Sequence, residues 1–390
     1  MTHQSTKEIV ERCEALFEDL NFTCVREWKA AEAGRKVIGY MPVYVPRELI
    51  HAGGMLPMGV LGGGDSLEVI HGDAYYQSYI CRIPRSTIEL ALTRRLDFVD
   101  GLLFPSICDV IRNLSGMWKL MRPELYSRYF DVPQNYKDEI GGNYYVSELG
   151  ELKKGLEGIC GRAISDDDIR RSIAVFNENR KLVNAVYAYR AKQPWKAPSW
   201  HVYLLMRAGM NLPVEAHSQL LQDYLVAAEA EDSAMRDNCR IILQGMFCEQ
   251  PPLNLIKSIE FAGCYIVDDD CMLVNRWLLR DVPTDGDPIA NLARAFLEYS
   301  TETAAKYEPD GSRKGAYLID AVRERGAEGV IFAAPSFCDP ALLDRPMLAN
   351  ALTRANIPHI SFKYAENSGQ MQPIREQAGT FADSIKLWSA

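Results

Sequence analysis

The chain lacks any uninterrupted apolar run approaching the length that crosses a bilayer, and Met1-Thr2-His3-Gln4-Ser5-Thr6-Lys7-Glu8 has no signal-peptide pattern. A cytoplasmic location with no membrane partner is the expectation. There is no basic run either. The 43 Lys and Arg residues stand against 52 Asp and Glu, a net charge of −9, which argues against a surface built to neutralise nucleic-acid phosphates. Six scattered histidines form no HExxH pair, and neither GxxxxGK[ST] nor GxGxxG occurs, so the chain is not expected to bind ATP itself. Ten cysteines in 390 residues make no small disulfide framework and contain no CxxC and no ferredoxin run. Packing, metal ligation and thiol chemistry remain for them.

What is present is a motif written twice. Pro105-Ser106-Ile107-Cys108-Asp109 returns 230 residues later as Pro335-Ser336-Phe337-Cys338-Asp339. Each copy follows a short apolar run, Gly101 to Phe104 and Val330 to Ala334, which reads as a buried parallel strand. Each also opens a helix, with Asp109 and Asp339 as the expected N-caps and Pro340 at the first helical position. The cysteines then sit on strand-to-helix loops beside the positive end of a helix dipole, a setting that favours thiolate over thiol. Ligands of open α/β sheets bind at such loops.

In order, the spacing Ser5…Glu8 announces a first helix that carries Cys13 on its apolar face. Val37 to Tyr40, Pro46 to Gly53 and Leu56 to Leu61 read as a βαβ unit, and Gly62-Gly63-Gly64-Asp65 as a plain loop. Tyr75 to Cys81 is a tyrosine-rich approach to a helix starting near Pro84. A helical middle follows, and a second α/β portion restarts at Arg240; Ala262-Gly263 echoes Ala52-Gly53. The expectation is an α/β fold of two related doubly wound, Rossmann-like parallel sheets with helical N-terminal and middle segments. The domains are set at 1–145, 146–237 and 238–390.

Cys81, Cys108 and Cys338 share one setting, a loop at a helix start. Three thiolates converging there fit a metal cluster; buried packing residues and a catalytic thiol stay open as alternatives. Cys248, Cys264 and Cys271 are assigned to structure, Asp268-Asp269-Asp270 to a solvated strand end, and His51 to a helix surface or a satisfied core position.

Cys81-Arg82-Ile83-Pro84-Arg85-Ser86, the two cysteine loops, Pro46-Arg47-Glu48-Leu49…Ala52-Gly53 and the late Gly369-Gln370 together resemble the benzoyl-CoA reductase / 2-hydroxyacyl-CoA dehydratase family. The likeness spans nearly the whole chain, and is greatest to the smaller, C-type substrate-reducing subunits of its ATP-dependent reductases. It implies a [4Fe-4S] cluster on Cys81, Cys108 and Cys338 and reduction of benzoyl-CoA to a cyclic dienoyl-CoA. It also implies a homologous B-type sister subunit, ATP-hydrolysing iron–sulfur activators of A and D type, and ferredoxin as donor. Glu48 is then assigned a proton or hydrogen-bond role toward substrate, and Arg82 and Arg85 contacts to CoA phosphates. Dehydration of a 2-hydroxyacyl-CoA and a non-catalytic electron relay are the alternatives. In the tail, Met371-Gln372 stands where the family often has Thr-Arg.

Overall fold

Two four-stranded parallel sheets repeat one strand order. The first consists of β1 (Val37–Tyr40), β2 (Leu56–Gly59), β3 (Gly101–Pro105) and β4 (Tyr126–Phe130), arranged β2-β1-β3-β4. The second consists of β5 (Cys239–Gln244), β6 (Cys264–Asp269), β7 (Gly329–Pro335) and β8 (His359–Tyr364), arranged β6-β5-β7-β8. The computed structural model describes residues 4–77, 79–245, 251–302, 313–365 and 371–389. The expected pair of doubly wound sheets is what the chain forms.

The repeat is visible in the connections. Helix Arg47–Ala52 links β1 to β2 as Leu253–Phe261 links β5 to β6. Strands β1, β2, β3 and β7 are buried at every position, which is why their sequences are continuous apolar runs rather than alternating ones. The edge strand β4, Tyr-Ser-Arg-Tyr-Phe, is half-exposed and has no such signal. Both cysteine loops leave the sheet identically: Pro105 pairs with Phe130 and Pro335 with Tyr364, while Ser106 N–H donates to the Phe130 carbonyl at 2.9 Å and Ser336 N–H to that of Tyr364 at 2.7 Å.

In the chain between β4 and β5 come helices Asn143–Cys160, Asp166–Lys192, Ser199–Ala208 and Val214–Ala230. The longest starts at a capping box in which Ser165 and Asp168 satisfy each other's backbone N–H. The Ser5–Glu8 box starts helix Thr6–Glu18 as expected, and Cys13 is fully buried. That helix packs on Ser199–Ala208 and Val214–Ala230. Helix Met371–Ser389 closes the second sheet, where Phe381 and Ile385 would stand within 3 Å of any side chain at Gly329. Among the described residues no helix is long and apolar enough to cross a membrane.

An aromatic junction joins the two halves. Phe296, on helix Pro288–Tyr299 of the second half, meets Tyr44 edge-on at 5.3 Å, Tyr145 at 4.9 Å and Trp277 at 6.0 Å. Such pairs contribute about 0.5–1.5 kcal/mol each beyond area burial. Tyr44 and its neighbour Val43 are both left-handed, at φ 63° and 67°, a backbone that costs roughly 1–2 kcal/mol per residue. The junction holds this strained turn just beyond Pro42, at the rim of the cavity described next.

Candidate functional site

Cys108 follows β3, Cys338 follows β7, and each is itself the N-cap of the next helix, Asp109–Met121 or Asp339–Arg354. Cys81 is the N-cap of Arg82–Leu92. The expected cap positions of Asp109 and Asp339 are thus corrected by one residue: the sulfurs occupy the caps, and the carboxylates lie in the first turn, where the dipole still favours them. Pro340 becomes the second helical residue.

All three cysteines line one cavity of about 430 Å³ between the halves. It opens beyond the carboxyl ends of β1 and β3, through Pro42 and Ser106, which is the topological switch point of the first sheet. Ile83, Ile107, Ile111 and Leu343 give it apolar walls. Gly62 packs beneath: with φ +73°, it would place a Cβ 2.1 Å from Ser86 Oγ on the Cys81 helix.

Burial decides the state of Cys108. Its thiol is pushed up to about 11 by desolvation, against the pull of the Val110 and Ile111 amides and with the Cys338 sulfur adding to the rise. The expected thiolate is therefore not favoured at Cys108 in the bare chain; a bound metal would have to displace the proton. Cys338 is buried and Cys81 partly exposed. The two repeats differ at the residue before the cysteine. Ile107 is buried, whereas Phe337 is 48% exposed and left-handed at φ 69°.

The donor set suits a cluster better than a single ion. Among the described residues no three His, Cys, Asp or Glu side chains are disposed to hold one metal ion. A thiolate-bound iron cube needs no such tight grouping, since its ligand sulfurs stand roughly 6–7 Å apart, from bonds of about 2.3 Å on either side of the cube. Three soft donors at three helix starts, around a cavity that Asp109 and Asp339 line beside its isoleucines, match that chemistry. The Tyr76 hydroxyl is buried without a hydrogen-bond partner, though Tyr76 is not among the residues that line the cavity. Tyr76 is not singled out in the sequence, because nothing in a run of tyrosines tells which one turns inward.

The other predicted site residues lie elsewhere or are engaged. Glu48 does not line the cavity; it is 2% exposed and bonded to Arg180 Nη1 at 2.6 Å. Arg82 donates to the Leu67 carbonyl, and Arg85 Nη1 lies 2.9 Å from Asp73 Oδ1. His51 bonds Ser172 Oγ and Glu215 Oε1. The expectation of a solvated Asp268-Asp269-Asp270 is overturned: Asp268 and Asp270 are buried, Asp268 pairs with Arg276 at 2.7 Å and Arg325 at 3.0 Å, and Asp269 with Arg190 at 2.5 Å. Guanidiniums from distant segments stand where water was expected. Cys239, Cys264 and Cys271 are buried, while Cys24 and Cys160 are half-buried. Cys248 and Gly369-Gln370 lie outside the described residues.

Fold and site together define a duplicated α/β protein with a three-thiol crevice between its halves. The chain belongs to the 2-hydroxyglutaryl-CoA dehydratase D-component family, whose model matches residues 42–385. It is 69% identical over 385 residues to the C-type subunit of benzoyl-CoA reductase from Thauera aromatica, covering 99% of this chain and 100% of that one. Identity is 29% over 370 residues to the beta subunit of (R)-2-hydroxyglutaryl-CoA dehydratase from Acidaminococcus fermentans, covering 93% and 95%. It is 27% over 354 residues to the beta subunit of (R)-phenyllactyl-CoA dehydratase from Clostridium sporogenes, covering 91% and 93%. The family resemblance read from the cysteine motifs holds.

Proposed function

We propose that this chain is the iron–sulfur subunit of an ATP-dependent, ferredoxin-linked benzoyl-CoA reductase, with Cys81, Cys108 and Cys338 as the protein ligands of a [4Fe-4S] cluster. The observation that carries the reading is the meeting of three cysteines, from three separate segments, in one cavity at three helix starts. Identity to the reductase subunit is more than twice that to either dehydratase, which favours reduction over dehydration. Bound there, the cluster would supply single electrons at low potential. The chain's own part is to hold it, to exclude water with Ile83, Ile107, Ile111 and Leu343, and to set helix N-termini against its negative charge.

The relatives are named as beta and C subunits, and a homologous B-type sister is the partner we assign. Phe337, Leu343 and Met347 follow one another along the start of helix Asp339–Arg354, all at least 44% exposed, beginning at the cavity. The corresponding outer face of Asp109–Met121 is largely polar. An apolar stripe of this kind is what a sister protein lying over the site would cover. With no phosphate loop in the sequence, ATP hydrolysis falls to A- and D-type activators charged by ferredoxin. The substrate is benzoyl-CoA and the location the cytoplasm.

The test is anaerobic purification with the partners, followed by iron analysis and EPR with and without benzoyl-CoA. Iron in this chain, a spectrum perturbed by the thioester, and net consumption of reductant per product are expected. An iron-free active complex, or a merely catalytic requirement for reductant, would overturn the assignment.

A further inference from the structure

The two cysteine loops open helices whose second residues differ in one chemical respect. Cys108-Asp109-Val110-Ile111 is matched by Cys338-Asp339-Pro340-Ala341, and Val110 and Pro340 both line the cavity. The caps differ in backbone, with ψ 166° at Cys108 and 85° at Cys338, but each helix begins at the following aspartate. Their first backbone bonds are equivalent: Arg112 N–H donates to the Cys108 carbonyl at 3.2 Å and Leu342 N–H to the Cys338 carbonyl at 3.0 Å. Ahead of those bonds, the N–H groups of the opening residues have no acceptor inside the helix and project toward its cap. Here each cap is a cysteine.

Proline has no N–H. The first helix therefore offers donors from Asp109, Val110 and Ile111, and the second only from Asp339 and Ala341. No N–H bonds the neutral Cys108 thiol, yet the Val110 and Ile111 amides already oppose the burial that raises its pKa, so they favour charge on that sulfur. A neutral thiol is a poor acceptor, whereas a thiolate on iron carries the charge that makes a good one. At the second repeat one of these donors is withheld covalently. Valine and proline are both apolar, so the two walls of the cavity differ here in the N–H and not in polarity.

We propose that Pro340 keeps the reduction potential of the group held by the three cysteines low, by withholding an amide donor at the start of helix Asp339–Arg354. It is a positioning residue for the cluster, not a ligand, and the inference rests on the cluster reading above. The reduced cluster bears one more negative charge than the oxidised one, so each N–H aimed at its sulfurs stabilises the reduced state more and raises the potential. An aromatic ring accepts electrons only from a strong reductant, and a withheld donor makes the cluster a stronger one. Restoring the N–H should favour reduction about tenfold at fixed potential, about 59 mV for a one-electron couple.

The experiment is a potentiometric EPR titration, with dithionite as reductant, of the whole complex carrying Pro340→Val, which writes the first repeat's residue into the second. The signal that disappears in Cys338→Ala identifies this chain's cluster. The expected result is full iron content with the midpoint moved to higher potential. Val110→Pro, the reverse exchange, should move it lower, and the second repeat shows that a helix start of this kind accepts proline. Full iron with the midpoint unmoved or lowered in Pro340→Val would overturn the inference and leave the cluster assignment standing. An unmoved midpoint in Val110→Pro would do the same, and that variant decides the matter if Pro340→Val does not assemble. Loss of iron from a folded Pro340→Val would also overturn it, since the proline would then retain the cluster rather than tune it. A wild-type complex without iron would overturn the cluster reading, and this inference with it.

Discussion

Arg180 Nη1 lies 2.6 Å from Glu48 Oε1, and the two side chains are almost wholly withdrawn from water. A carboxylate held this way is part of the scaffold. Removing one partner of a buried pair leaves an uncompensated charge and costs about 3–5 kcal/mol. Glu48→Ala should therefore lower the denaturant midpoint sharply, with a similar loss for Arg180→Ala. A Glu48→Ala protein of normal stability that had lost ring reduction would give Glu48 a chemical role instead.

Cys81→Ala, Cys108→Ala and Cys338→Ala should each abolish iron binding, because a cube on three protein thiolates cannot spare one. Cys13→Ala, in the first helix and fully buried, should retain it. Iron per chain in anaerobically purified variants is the measurement. Full iron in Cys338→Ala would remove the second repeat from the site.

Met347→Asp places charge on the exposed apolar stripe outside the cavity and without touching the core, since Met347 is 44% exposed and does not line the cavity. Association with the sister subunit should weaken at least tenfold by analytical ultracentrifugation, while the thermal midpoint of the isolated chain stays put. Undiminished association would place the partner on another face.

His217 offers a prediction about acid. Its ring is buried, bonded through Nε2 to the Leu205 carbonyl at 3.2 Å and through Nδ1 to Asn179 at 3.1 Å, and burial with the nearby Arg47 charge lowers its pKa from 6.5 to about 3. The unfolded chain takes up that proton near 6.5 and the folded one only near 3. Stability from this group is thus complete above pH 6.5 and drains away as pH falls toward 3. Urea midpoints across that range should slope downward, and His217→Gln should flatten the slope even though it lowers the starting stability. An unchanged slope would remove His217 from the acid response.

The duplication, the buried strands and the strand-to-helix place of Cys108 and Cys338 were determined locally. A continuous apolar run followed by Pro-Ser-x-Cys-Asp and an amphipathic helix admits few other backbones, and its second copy imposes a second sheet. The capping box at Ser5 was equally plain, because its hydrogen bonds close within four residues. What needed the tertiary structure was every relation between distant segments. Nothing near Glu48 in the chain announces Arg180, whose guanidinium reaches its carboxylate from 132 positions away. Asp268 reads as solvated until Arg276 and Arg325 close on it. Tyr76 is one tyrosine among several until its hydroxyl is found buried and without a hydrogen-bond partner. Partners far apart in the chain leave no periodic or spacing signal, since the chain's path through space, and not the order of its residues, brings their charges and hydroxyls together.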